Sequence, residues 1–217
     1  MKMVWRAIPE VFIIESLHFD DEKAGRYEES VQSQILHLGG KKPLYYYVRT
    51  RRELVEVLKQ FKASGYRYLH LSCHGSSTSL EMTLDEILFS EFGELARRYL
   101  DNKRIFISAC RVVNGYLAGQ IITRTHCKSI AGPYTSMEFN DAAIIWASFY
   151  HLISKMEPNK MTRKTLEVTL QRVVDAFGIR VNRFFRTSKN DYEKESFKGR
   201  LNIMRKPNPK TRSRNAT

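Results

Sequence analysis

Tyr68-Leu69-His70-Leu71-Ser72-Cys73-His74-Gly75 and Arg104-Ile105-Phe106-Ile107-Ser108-Ala109-Cys110 are the two stretches on which the reading of this chain turns. Each is a run rich in apolar, β-branched or aromatic residues, the pattern of a buried strand. The first stops at an imidazole, His74, and the second at a thiol, Cys110. They are 36 residues apart, and a strand–helix–strand unit takes about 30 residues or more. Neighbouring strands lie about 4.8 Å apart, and open α/β sheets bind ligands beyond the carboxyl ends of their strands. A base and a nucleophile are therefore expected side by side at one sheet edge.

Outward from this pair, strand and helix patterns alternate. Val11 to Ser16 reads as a buried strand, Asp20 to about Leu38 as a helix closed by Gly39-Gly40, and Leu44 to Val48 as a strand. Arg52 to Ser64 is amphipathic through Leu54, Val57, Leu58 and Phe61 and stops at Gly65. Residues 83–101 read as one helix opened by a Thr83-x-x-Glu86 capping box. After the Cys110 strand come a helix from Gly115 to Arg124 and a short strand from Ser129 to Pro133. An apolar helix from Asn140 to Lys155 follows, capped by Asn140 or Asp141. Thr162 to Phe177 is a helix stopped by Gly178, and Ile179 to Phe185 a last strand. This order predicts a three-layer α/β/α sandwich with a mainly parallel central sheet.

The chemistry expected of the pair is specific. A free thiol has a pKa near about 8.5, so a neighbouring imidazole is needed to take its proton or hold the thiolate. The amide N–H groups of Gly75 and Cys110 are candidate oxyanion donors, and a glycine lets substrate approach the backbone. Period-two alternation puts His70, Ser72 and His74 on one face and Leu69, Leu71 and Cys73 on the other. Cys73 then reads as core, His70 as a satisfied buried histidine or an orienter, and Cys127 as an incidental loop thiol. On a strand, the four-residue spacing of His70 and His74 does not make a metal pair, and no metal or cofactor is expected. A tyrosine-phosphatase loop, Cys-x5-Arg, fails because its arginine position is Tyr116. Cys-x-x-Cys and the glycine-rich phosphate loops are absent.

At these residues the chain resembles the caspase-like cysteine peptidase superfamily, and within it the CHAT domains. The resemblance rests on His70-Leu71-Ser72-Cys73-His74-Gly75, on Ser108-Ala109-Cys110, on Ile130-Ala131-Gly132-Pro133 and on the Asp141-led helix ending in Phe149-Tyr150. By element order it covers roughly residues 8–185. It implies a caspase-like fold, peptide-bond cleavage, His74 as base, Cys110 as nucleophile and Gly75 at the oxyanion hole. Caspases proper carry Gln-Ala-Cys-Arg-Gly, whereas this chain has Ser108-Ala109-Cys110-Arg111-Val112 and no long processing linker, so self-cleavage into two subunits is not implied. Related enzymes often favour a basic residue before the scissile bond, for which Glu81, Asp85 and Asp141 are the acidic candidates. The resemblance also implies a regulated effector in bacterial signalling or anti-phage defence, controlled by a separate regulatory or sensor protein.

Composition bounds this reading. The 217 residues suffice for one substantial core, with 42% hydrophobic and 27% charged residues as in ordinary globular chains. Residues 1–206 read as one peptidase-type domain and 207–217, polar with prolines, as a disordered tail. Three cysteines without Cys-x-x-Cys spacing argue against a disulfide framework and for a reducing, cytoplasmic setting. No segment is long and apolar enough to span a membrane, and none reads as a signal peptide. The net charge is +13, and residues 151–217 hold 17 Lys/Arg against 6 Asp/Glu. This basic portion is the expected docking surface for a partner. Two alternatives stand beside the protease reading: a catalytically silent caspase-like adaptor that only binds proteins, and a nucleic-acid-binding module acting through the basic region.

Overall fold

The computed structural model describes residues 8–188 and 190–199; the tail expected over 207–217 lies outside them. Ten strands and seven helices are present among the described residues: β1 (Ile8–Glu15), α1 (Phe19–Lys23), α2 (Glu28–Leu38), β2 (Leu44–Tyr47), α3 (Arg51–Ser64), β3 (Tyr66–Ser72), β4 (His74–Gly75), β5 (Ser79–Glu81), β6 (Glu86–Leu88), α4 (Phe89–Ala96), β7 (Arg104–Ser108), α5 (Gly115–Ile122), β8 (Ser129–Pro133), α6 (Phe139–Met156), α7 (Arg163–Phe177), β9 (Arg180–Arg186) and β10 (Tyr192–Lys198). Seven strands form one sheet in the order β10-β9-β8-β7-β3-β1-β2. The run from β8 to β2 is parallel, while β9 and β10 are antiparallel additions at one edge. The fold is the α/β sandwich with a mainly parallel sheet that the alternating pattern predicts.

Strand alternation sorts the core into two layers. Phe12, Ile14, Leu69, Leu71, Ile105 and Ile107 point to one face, where Leu54, Leu58 and Phe61 of α3 and the apolar sides of α4 and α5 cover them. Val11, Ile13, Tyr68 and Phe106 point to the other, against Trp146, Phe149 and Tyr150 of α6 and Leu166, Leu170 and Val174 of α7. Each fully buried large apolar side chain contributes about 1.5–3 kcal/mol. Helix α3 begins at a capping box in which Glu53 N–H donates to Thr50 Oγ1 at 3.2 Å and Thr50 N–H donates to Glu53 Oε2 at 3.1 Å.

Four sequence expectations are corrected. The helix expected over 20–38 is broken into α1 and α2, because Gly25 takes a φ of 69° that ends the first turn. Helix α6 starts at Phe139 after Glu138 rather than at an Asn140 or Asp141 cap. The single helix expected over 83–101 is instead strand β6 followed by α4; Ile87 alternates with exposed neighbours, and Met82 N–H closes a turn on Asp85 O at 2.7 Å. The first strand of the quoted pair ends at Ser72, and His74 opens a separate three-stranded sheet, β4-β5-β6. Strand β10 was not anticipated; its alternating charged residues hide the pattern.

Candidate active site

Strands β3 and β7 pair from Tyr68–Arg104 to Ser72–Ser108. Cys73 N–H extends the ladder to Ser108 O at 3.3 Å. Beyond this rung the two chains diverge. His74 enters the β4-β5-β6 hairpin opposite Glu81, and the other chain turns at Cys110 into a loop whose Arg111 sits at a φ of 63°, a left-handed conformation uncommon for such a side chain. His74 and Cys110 line one cleft, together with Glu28, Ser108, Pro133, Met137 and Ala142.

Each side chain is held by neighbours. Met137 N–H points at Cys110 Sγ at 3.3 Å, and the thiol reaches Met137 O at 3.5 Å. His74 Nε2 is 2.7 Å from Asp21 Oδ2, and its ring stacks on His18 at 3.8 Å between centroids. Asp21 also accepts from Arg26 Nη1 at 2.8 Å. Burial raises the Asp21 pKa, but the hydrogen bonds from His74 and Arg26 outweigh it and hold the carboxyl below its ordinary value. Ionised Asp21 therefore receives the His74 Nε2–H. His18 Nε2 in turn lies 3.2 Å from Glu81 Oε2. His18, Asp21 and His74 each offer a ligand atom within 4.8 Å of the others and are the described residues suited to a metal ion.

Under the cleft lies a buried polar network. Glu28 Oε1 accepts from Ser72 Oγ at 2.9 Å and Ser108 Oγ at 3.3 Å, bridging the last rung of the two strands. Its Oε2 is buried without a hydrogen-bond partner. His70 is fully buried between Tyr150 Oη and Glu29 Oε1, both at 2.9 Å. Glu29 N–H donates to Glu15 Oε1, whose other oxygen accepts from Tyr45 Oη at 2.6 Å. Burial pushes Glu28 and Glu29 well above the ordinary carboxyl value, and Glu15 up to about 7. The same desolvation lowers His70 to about 3. His70 is thus a neutral, satisfied core residue at neutral pH, not a ligand in the cleft.

The remaining sequence candidates fall into place. Cys73 packs in the core among Leu69 and Leu71. Cys127 lies in the loop between α5 and β8, as expected, but is fully buried there, its thiol within hydrogen-bond distance of Lys103 O and Ser129 O. Gly75 has a packing reason beside any role toward substrate: a Cβ there would lie 2.4 Å from Val112 Cγ2 and 2.9 Å from Ser79 O. Asp85 accepts from Arg51 N–H and so caps α3, and Glu81 pairs with His18. His18, Asp21 and Glu28 were not singled out in the sequence. They follow β1, whose parallel pairing with β3 brings them to the same sheet edge as His74, a pairing that no local pattern in the sequence marks.

No known protein-family profile and no curated protein matches the chain. Solved structures do. Gingipain R, described as an Arg-specific cysteine proteinase, superposes with a TM-score of 0.52 at 15% identity, over 80% of this chain and 43% of its own. A complex of its pro- and mature domains from Porphyromonas gingivalis gives 0.53 at 14% identity, over 80% and 44%. A secreted C11 cysteine protease from Bacteroides thetaiotaomicron, "iotapain", gives 0.51 at 9% identity, over 83% and 67%. The fold is caspase-like. The chain spans less than half the length of the two gingipain chains, and at these identities the likeness is one of fold. No helix among the described residues is long and apolar enough to cross a membrane.

Proposed function

We propose that this protein is a cysteine endopeptidase in which Cys110 is the nucleophile and His74 the general base. The observation that carries this reading is the shared cleft of the two side chains beyond one rung of β3 and β7. His74 takes the Cys110 proton, and the thiolate attacks the scissile carbonyl. The oxyanion is held by the N–H groups of Gly75 and Cys110. The tetrahedral intermediate collapses as His74 gives its proton to the departing amine, leaving a thioester that water then hydrolyses with His74 again as base. Asp21 holds the imidazole through Nε2, so Nδ1 is the nitrogen that exchanges the proton.

Glu28 is the acidic residue we assign to the substrate side chain preceding the scissile bond. It lines the cleft from beneath, it is bonded to Ser108 two residues before Cys110, and its buried Oε2 is unpartnered. A buried carboxyl of this kind is uncharged in the empty cleft; an entering Arg or Lys supplies the donors and the charge that ionise it. Gingipain R, of similar fold, is Arg-specific. The role of regulated effector, answering to a separate sensor protein, belongs to the same proposal. Its support is the resemblance to CHAT domains and the cationic grooves at the opposite sheet edge. Lys59, Lys62, Arg67 and Lys103 line one of these, and Arg104, Lys128, Arg163 and Arg183 the other.

The test is cleavage of a diversified peptide library by wild type, Cys110→Ala, His74→Ala and Glu28→Gln. Loss of about 10³-fold or more in kcat/KM is expected for the first two variants. A selective loss of about 10²-fold on Arg and Lys substrates is expected for Glu28→Gln. Cleavage that survives Cys110→Ala would refute the assignment.

A further inference from the structure

We infer that His18, Asp21 and His74, with Glu81 beside them, form a binding site for Zn²⁺ that takes the general base out of action when filled. The regulatory consequence rests on the proposed function; the metal site does not.

The geometry comes first. One ligand atom from each of His18, Asp21 and His74 lies within 4.8 Å of the other two. Tetrahedral Zn²⁺ with bonds of about 2.0–2.2 Å sets its ligand atoms about 3.4 Å apart. The set is therefore close to coordination spacing, with the His74–Asp21 pair at 2.7 Å needing to open and the widest pair to close. Glu81 Oε2 lies 3.2 Å from His18 Nε2, outside the set of three mutually close ligand atoms, and would have to move in to serve as a fourth ligand. The two imidazoles are stacked within 16° of parallel, so loading makes them splay until both lone pairs converge. Arg26 engages Asp21 Oδ1, while Oδ2 faces His74 and is the oxygen available to the ion.

Donor type selects the ion. Two imidazole nitrogens with one or two carboxylate oxygens suit Zn²⁺; Ca²⁺ and Mg²⁺ prefer all-oxygen shells. The ligands come from separate elements, His18 and Asp21 after β1, His74 from β4 and Glu81 from β5. An ion here would tie the hairpin to the sheet edge. An imidazole whose Nε2 lone pair is on a metal carries its proton on Nδ1 and cannot accept one from Cys110. Filling the site therefore stops the first proton transfer without touching the thiol.

The experiment uses the full-length chain carrying Cys110→Ala, which removes the thiolate as a competing ligand. Co²⁺ is titrated for its visible d–d absorption, and Zn²⁺ affinity is measured by competition with a chromophoric chelator. One equivalent of tetrahedral Co²⁺ is expected, with a Zn²⁺ Kd of about 1 µM or tighter, weakened at least about tenfold by His18→Gln and by Glu81→Gln. In the chain with Cys110 intact, Zn²⁺ should inhibit peptide cleavage reversibly, and His18→Gln should raise the inhibitory concentration by the same factor as the Kd. No saturable binding below about 100 µM, or an affinity indifferent to both substitutions, would overturn the site. Inhibition of equal potency in wild type and His18→Gln would overturn the regulatory role. If no substrate is cleaved under any condition, the protease reading fails while the Co²⁺ and chelator measurements still decide the site.

Discussion

His74 and Cys110 each stand two residues beyond one rung of the central sheet, the Ser72–Ser108 pair of β3 and β7. Parallel pairing makes this symmetry possible, since both strands deliver their following residues to the same edge. Glu28 spans the rung from beneath through both serines. The positions of imidazole and thiol are thus tied to one pair of hydrogen-bonded strands rather than to two independent loops.

In the proposed mechanism Asp21 acts on His74, which its carboxylate contacts at 2.7 Å, and not on substrate. Asp21→Asn would present an amide N–H to Nε2 and favour the tautomer with its proton on Nδ1, the wrong one for accepting from Cys110. The expected result is a fall in kcat of about 10²-fold with KM little changed, and partial recovery in Asp21→Glu. An equal rise in KM would point to a role in substrate binding instead.

Only one of the three cysteines should react in the folded protein. Burial pushes Cys73 and Cys127 up to about 12, whereas Cys110 is partly exposed. Iodoacetamide near neutral pH should add a single carbamidomethyl group, mapped to Cys110 by mass spectrometry, and all three in denaturant. Modification of Cys73 under native conditions would mean that the β3 end opens more readily than its packing implies.

Gly75→Ala tests how tightly the hairpin sits on the Cys110 loop. The new methyl group meets Val112 Cγ2 and Ser79 O, and the expected loss is about 1–3 kcal/mol of unfolding free energy. Val112→Ala in the same chain should restore part of it, because the carbonyl clash remains. Urea unfolding of the two variants measures this directly.

The buried acids make a signed prediction about pH. Glu15 has a folded pKa of about 7 against an ordinary value of 4.5, so its contribution is fully present below about 4.5 and is lost as pH rises through about 7. Glu15→Gln has no such titration. Its stability relative to wild type should therefore climb between about pH 4.5 and 7, by about 3 kcal/mol at most, and then level off. A relative stability that falls over this range would contradict an uncharged Glu15 in the folded protein.

Alternation in the stretch from Leu69 to His74 sorted its side chains onto two faces from the sequence alone, because a strand's side chains point up and down in strict turn; the matching faces of β1 and β7 came from the structure. The alternation separated Cys73 from His70 and His74, and the strand–helix–strand spacing marked the sheet edge at which His74 and Cys110 come to line one cleft. What stayed hidden depends on contacts distant in the chain. Asp21 reads as one more acidic residue at a helix start until the β1–β3 pairing brings its carboxyl to His74, 53 residues away. Glu28 falls within the helix expected over residues 20–38 with nothing to mark it until it meets Ser72 and Ser108. Residues 83–88 read as helix because a capping pattern is local, whereas β6 is held by its pairing with β5, which in turn pairs with β4. Local periodicity fixed which side chains face inward; only the closing of the sheet decided which polar groups meet, since that depends on which strands become neighbours.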